Sequence, residues 1–138
     1  MKTKNYMYKL LSDLDQKGFI LQYYVAYSTD SCYIKLDYGI SNSIRISDHK
    51  GKDKYPYKFN LMVDIDKSYE QDGRHYYSPQ DYDKMISDIK KFKDEQLKKY
   101  GFKYYEYMLN NKKDAKNKKG FWVQSKNYND NFWTFLCN

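Results

Sequence analysis

Polar and apolar positions alternate through the stretch from Ser31 to Ile65. Cys32, Ile34 and Leu36 alternate with Tyr33 and Lys35, Ile44 and Ile46 alternate with Arg45 and Ser47, and Tyr57 to Ile65 alternates along its whole length. A period of two predicts strands that bury one face and leave the other polar. Phe19, Leu21, Tyr23, Val25 and Tyr27 repeat the pattern and predict a strand over Phe19 to Ser28. Gly39 and Asn42 permit positive φ between Asp37 and Asn42, and the connection is short enough for an antiparallel hairpin.

Two segments carry the helical period. Tyr6, Met7, Leu10, Leu11 and Leu14 predict a first helix that Thr3 caps and Gly18 ends. Ser78 as N-cap, Pro79 at the first helical position and Asp81 in a capping box predict the start of a second. Its stripe is Tyr82, Met85, Ile86, Ile89, Phe92, Leu97 and Tyr100, with Lys84, Lys90, Lys91, Lys93, Lys98 and Lys99 facing solvent and Gly101 as the stop. Between the strands and this helix, Lys67 to Tyr77 has no period and reads as a surface loop carrying Arg74 and His75. Beyond it, Phe102 to Leu109 alternates as a further strand, Asn110 to Lys119 is a basic loop, and Phe121 to Gln124 with Phe132 to Cys137 form a closing pair of strands. With neither repeat nor linker in residues 1–138, the reading is a single α+β domain. It has an antiparallel sheet of about five or six strands with two helices on one face.

Composition adds to this picture. The 18 Tyr in 138 residues supply apolar area with a hydroxyl that needs a partner, so rings belong at the edge of the core or on a binding surface. No run reaches the roughly 18 apolar residues of a membrane span, and Met1 to Gly18 lacks the apolar centre of a signal peptide, which points to a cytoplasmic protein. Cys32 and Cys137 have neither metal nor dithiol spacing and read as reduced thiols. The net charge of +7 is unevenly placed: residues 84–126 hold 13 Lys against 5 acidic residues, a surplus of +8, and the remainder of the chain sums to −1. Such asymmetry points to an acidic partner, most often nucleic acid, although a lysine-rich face also serves solubility.

The polar sides of the central strands collect Tyr33 and Lys35, Arg45 and Ser47, and Lys58 and Asn60, with Asp48 and His49 at a strand end. Arg45 offers a bidentate fork for phosphate, Tyr33 a stacking ring, Ser47 and Asn60 neutral hydrogen bonds, and Lys35 and Lys58 positive charge. An alternative is acid-base chemistry on RNA, with His49 moving the proton and Arg45 and Lys35 on the phosphate. A second candidate surface is the basic stretch Lys112, Lys113, Lys116, Lys118 and Lys119 with Trp122 behind it. Asp48, Asp64 and Asp66 lack ligand spacing, so neither a metal nor a cofactor is expected.

The segments S-C-Y-I-K-L-D (Ser31 to Asp37), S-I-R-I-S-D-H (Ser43 to His49) and Y-K-F-N-L-M-V-D-I (Tyr57 to Ile65) resemble a pattern in small proteins of phages and mobile elements. They are similar to the central strands of broad-spectrum type II-A anti-CRISPR proteins of streptococcal phages, over about 35 of the 138 residues. The resemblance implies an inhibitor that binds a host defence nucleoprotein or RNA-guided nuclease in the host cytoplasm, with Arg45, Ser47 and His49 as the positions carried over. A ribonuclease or RNA-binding toxin-like domain is the alternative.

Overall fold

The spacing of Met7, Leu10, Leu11 and Leu14 on successive turns places four buried side chains on one side of helix α1, Thr3–Gln16. Thr3 is the first residue of the helix and not its cap; its hydroxyl donates to the Asp30 carbonyl. The computed structural model describes residues 3–26, 30–39, 42–47, 54–62, 71–115 and 125–129. Five strands follow α1 as a meander, β1 Leu21–Val25, β2 Cys32–Leu36, β3 Ser43–Ile46, β4 Tyr57–Met62 and β5 Gln71–Tyr77. The chain then forms a single 3₁₀ turn, Pro79–Asp81, and helices α2, Tyr82–Tyr100, and α3, Phe102–Ala115. A short strand β6, Lys126–Asn127, pairs with β1, so the sheet runs β5-β4-β3-β2-β1-β6 with every pairing antiparallel.

The alternation read in the sequence decides which face is covered. Cys32, Ile34, Leu36, Ile44, Ile46, Tyr57 and Phe59 point to one side and pack against α1 and against Met85, Ile86 and Ile89 of α2. The fold is therefore the expected α+β arrangement, with three α-helices among the described residues in place of two. A second, smaller cluster of Ile20, Tyr38, Tyr104 and Met108 joins α3 to the start of β1 and to the turn after β2.

Several local expectations are corrected. Phe102 to Leu109 is helical: Tyr104, Met108 and Asn111 fall on one side of α3 at helical spacing and are buried, while Phe102 and Leu109 are exposed. The expected basic loop from Asn110 begins as the last turns of the same helix, which includes Lys112 and Lys113. The segment ending at Tyr77 is strand β5 over its last seven residues; it lies at the sheet edge and buries only Tyr77 among its described side chains, so it shows no apolar period. In the β2–β3 connection the positive φ values belong to Asp37 (53°) and Tyr38 (56°) and not to Gly39 or Asn42. Ser78 and Asp81 meet through their side chains, the hydroxyl donating to the carboxylate at 3.2 Å, and no side chain caps the backbone there. Gly101, at φ 55°, does end α2, and its N–H closes on the Leu97 carbonyl at 2.8 Å. The expected strands over Phe121 to Gln124 and Phe132 to Cys137 lie outside the described residues.

Among the described residues, no helix is long and apolar enough to cross a membrane. Cys32 is buried as a thiol outside any disulfide, its S–H donating to the Asp30 carbonyl at 3.4 Å; Cys137 lies outside the described residues.

Candidate nucleic-acid interface

Strand register brings the polar residues of five strands into rows. Tyr24 is opposite Tyr33, Tyr33 opposite Arg45, Arg45 opposite Lys58, and Lys58 opposite Tyr76, which makes one row across β1 to β5. Directly paired side chains on one face of an antiparallel sheet stand about 5 Å apart at Cβ, so this is a row of contacts and not only of positions. Tyr24 and Tyr33 bear this out: their rings stack with centroids 5.8 Å apart and planes 28° apart. The parallel row is Asn127, Gln22, Lys35, Ser43, Asn60 and Arg74. Both rows occupy the face opposite the one that α1 and α2 cover.

The two rows differ in burial. In the second, Gln22 is buried and neither its amide oxygen nor its amide nitrogen finds a hydrogen-bond partner among the described residues. Burial also pushes the Lys35 ammonium down to about 8, because a charge away from water is disfavoured. Asn60 donates to the Ser43 hydroxyl at 3.4 Å, leaving its own oxygen without a partner among the described residues. In the first row Tyr33, Arg45 and Lys58 are half-buried, and the β5 end is open: Tyr76 is 51% exposed and Arg74 next to it is exposed as well. The buried Nε of Arg45 has no hydrogen-bond partner among the described residues.

The structure thus brings together Tyr33, Lys35, Arg45, Lys58 and Asn60 as the sequence led one to expect. Ser47 follows β3 and is buried, with its N–H on the Pro56 carbonyl at 2.9 Å. The sequence reading missed Tyr24, Arg74 and Tyr76. Tyr24 was legible in principle, since it falls out of step with the inward-facing Tyr23 and Val25; Arg74 and Tyr76 were hidden in an apparent loop. His49, Lys116, Lys118, Lys119 and Trp122 lie outside the described residues, as do Asp48, Asp64 and Asp66. Lys112 is half-buried, its ammonium 6.0 Å from the centre of the Tyr38 ring.

Two other expectations change. His75 is opposite Phe59, with ring centroids 6.2 Å apart, so it belongs to the helix-covered side of the sheet and not to the face of Arg45 and Lys35. The lysines of α2 are also less of a footprint than their number suggests. Lys84 pairs with Asp88 at 3.0 Å and Lys90 with Asp94 at 2.8 Å, both along the helix surface. Lys93 does not face solvent at all: it is 2% exposed, and its ammonium meets the carboxylate of Asp37 at 2.9 Å.

Neither a protein family, a curated protein nor a solved structure matches the chain.

Proposed function

We propose that this chain is a non-enzymatic anti-defence protein of the anti-CRISPR kind, which binds a host nucleoprotein through the polar face of its sheet. The observation that carries the reading is the row Tyr24, Tyr33, Arg45, Lys58 and Tyr76. It sets aromatic rings on either side of two cations on one surface, a combination that suits the bases and phosphates of a nucleic-acid strand. Arg45, one of the positions that the anti-CRISPR resemblance carries over, is the centre of that row. An RNA-guided nuclease displays guide and target strands over positively charged protein, and a cationic face would reach it through those strands.

The test is cleavage of a target plasmid by a purified type II RNA-guided nuclease, with and without this protein. Dose-dependent inhibition by the wild type that weakens in Arg45→Glu supports the reading. Full cleavage at a large molar excess of folded protein sinks it.

One observation favours a second reading, metal-independent RNA cleavage. Lys35 is lowered by burial to about 8 and is a diagonal neighbour of Arg45 across the β2–β3 pair, so an ammonium that gives up its proton more readily than an ordinary lysine lies beside a guanidinium fork. RNA incubated in chelator would then be cut by the wild type and spared by Lys35→Gln and His49→Ala. Intact RNA in all three samples eliminates this alternative.

A further inference from the structure

The sheet face has a built-in polarity that narrows the kind of nucleic acid it fits. At one end of the row, Tyr24 and Tyr33 are stacked on neighbouring strands; at the other, Tyr76 stands exposed on the edge strand. Arg45 and Lys58 lie between them, and Arg74 stands two residues before Tyr76 on the same face of β5. Five strands at about 4.8 Å spacing make the row about 19 Å long. Aromatic groups at both ends and cations in the middle match a strand whose bases are unstacked and can be placed against rings while its phosphates run over the cations. A duplex offers no free base faces to such rings, and a row across five strands is too broad to enter a groove that admits a helix or a two-stranded ribbon.

Resting on the reading that this face is the binding surface, we propose that its ligand is single-stranded nucleic acid, with bases on Tyr33 and Tyr76 and phosphates on Arg45, Lys58 and Arg74. Three phosphate contacts set a slope of about −2 for log affinity against log salt. Charge complementarity alone would have pointed to the lysines of α2 and left the strand state open. The rings at the two ends of the row distinguish single strand from duplex, and of the α2 lysines Lys84 and Lys90 are matched by Asp88 and Asp94.

The experiment is fluorescence anisotropy of the full chain with a labelled oligouridine, a labelled oligothymidine and a labelled duplex of equal length, over a series of salt concentrations. The expected result is tighter binding to either single strand than to the duplex. Tyr76→Ala should weaken single-strand binding by about tenfold, and Tyr33→Ala by a similar factor, as loss of one base stack does. Tyr76 is exposed, so its removal leaves the core intact and keeps the test open should Tyr33→Ala fail to fold. Equal affinity for duplex, or full affinity in folded Tyr76→Ala and Tyr33→Ala, overturns the proposal. Inhibition of the nuclease without measurable single-strand binding would overturn it too, while leaving the proposed function standing on contact with the protein of the nuclease. Single-strand binding without inhibition supports it and counts against the anti-defence role.

Discussion

The ammonium of Lys93 lies 2.9 Å from the carboxylate of Asp37, and the two side chains are 3% and 1% exposed. Asp37 Oδ2 also accepts the Tyr104 hydroxyl at 2.7 Å, Asp37 Oδ1 accepts the Ile20 N–H at 2.9 Å, and Lys93 donates to the Gly18 carbonyl at 2.7 Å. One buried carboxylate therefore ties the turn after β2 to the start of β1, to α2 and to α3. It also accounts for the backbone at the turn. A left-handed conformation costs a residue other than glycine about 1 kcal/mol, and Asp37 is held there by its side-chain bonds while Tyr38 is held by burial against α3.

Removing one partner of such a pair strands the other. Lys93→Ala leaves the Asp37 carboxylate buried with only neutral donors, so the loss of stability should be about 3–5 kcal/mol. The double variant Lys93→Met with Asp37→Asn removes both charges at nearly constant volume and should recover a substantial part of that loss. Urea unfolding of the wild type, Lys93→Met, Asp37→Asn and the double gives the coupling directly. A double variant as unstable as the two singles added together would show that the pair does not act as a unit.

Gly39 sits in the same turn, and space rather than φ makes it necessary. A Cβ there would stand 2.6 Å from the Asn42 Cβ and 3.0 Å from the Leu36 carbonyl oxygen, and Asn42 is buried with little room to retreat. Gly39→Ala should lose about 1–3 kcal/mol. Gly73 on the edge strand is the control: nothing lies within 4 Å of an added Cβ, so Gly73→Ala should be neutral or gain about 0.5 kcal/mol. Equal urea midpoints for the two variants would contradict this account.

The sheet was legible because period-two alternation in Cys32 to Leu36, Ser43 to Ile46 and Tyr57 to Phe59 is a direct consequence of one face being covered. What was not legible follows from physics that pattern does not carry. Lys93 and Gln96 continue the stripe of Met85, Ile86 and Ile89 by spacing, and both are buried. A lysine on that stripe is tolerated only because Asp37, far away in sequence, reaches it. Strand β5 escapes because an edge strand with little buried surface needs no apolar alternation. Phe102 to Leu109 misleads because its many tyrosines satisfy either period, and only burial of Tyr104 and Met108 decides for the helix. In the candidate site, the polar positions were readable from alternation, but their order in a row depends on register, which brought in Tyr24 and Tyr76.

Among the described residues, burial raises the pKa of four phenols and sets an alkaline limit to the fold. Tyr57 is pushed up to about 12, chiefly by burial with help from Tyr6. Tyr77, Tyr82 and Tyr104 are also raised, by burial first and then by Asp88, Asp13 and Asp37 respectively. A group whose pKa is raised by folding contributes stability that is complete below its unfolded value, here 10.0, and is lost as pH climbs through the folded value. Lys35 works in the opposite sense: held at about 8 against 10.5, it loses its proton first in the folded state, so stability rises with pH between those values. Lys93, lowered by burial against the pull of Asp37, acts in the same direction. Urea midpoints should therefore rise modestly above pH 8 and fall steeply beyond pH 10, with the share of tyrosinate absorbance that belongs to these four phenols appearing together with unfolding. Tyrosinate absorbance that develops fully before unfolding would refute this.

The lysines of α2 allow a prediction that separates surface charge from binding charge. Residues 82–100 hold six Lys and four acidic residues, and Lys84 and Lys90 each lie within 3.0 Å of a carboxylate four residues on. Such exposed pairs contribute about 0.3–0.5 kcal/mol each, and their fields largely cancel at a distance comparable to the Debye length. Lys84→Gln and Lys98→Gln should thus change stability by less than about 0.5 kcal/mol and leave the salt slope of single-strand binding where it was. Arg45→Gln should reduce that slope by about 0.7, the share of one phosphate contact on a single strand. Parallel titrations of the three variants against the same oligouridine decide the matter. If Lys84→Gln or Lys98→Gln flattens the salt dependence as much as Arg45→Gln does, the nucleic acid runs along α2 and not across the sheet.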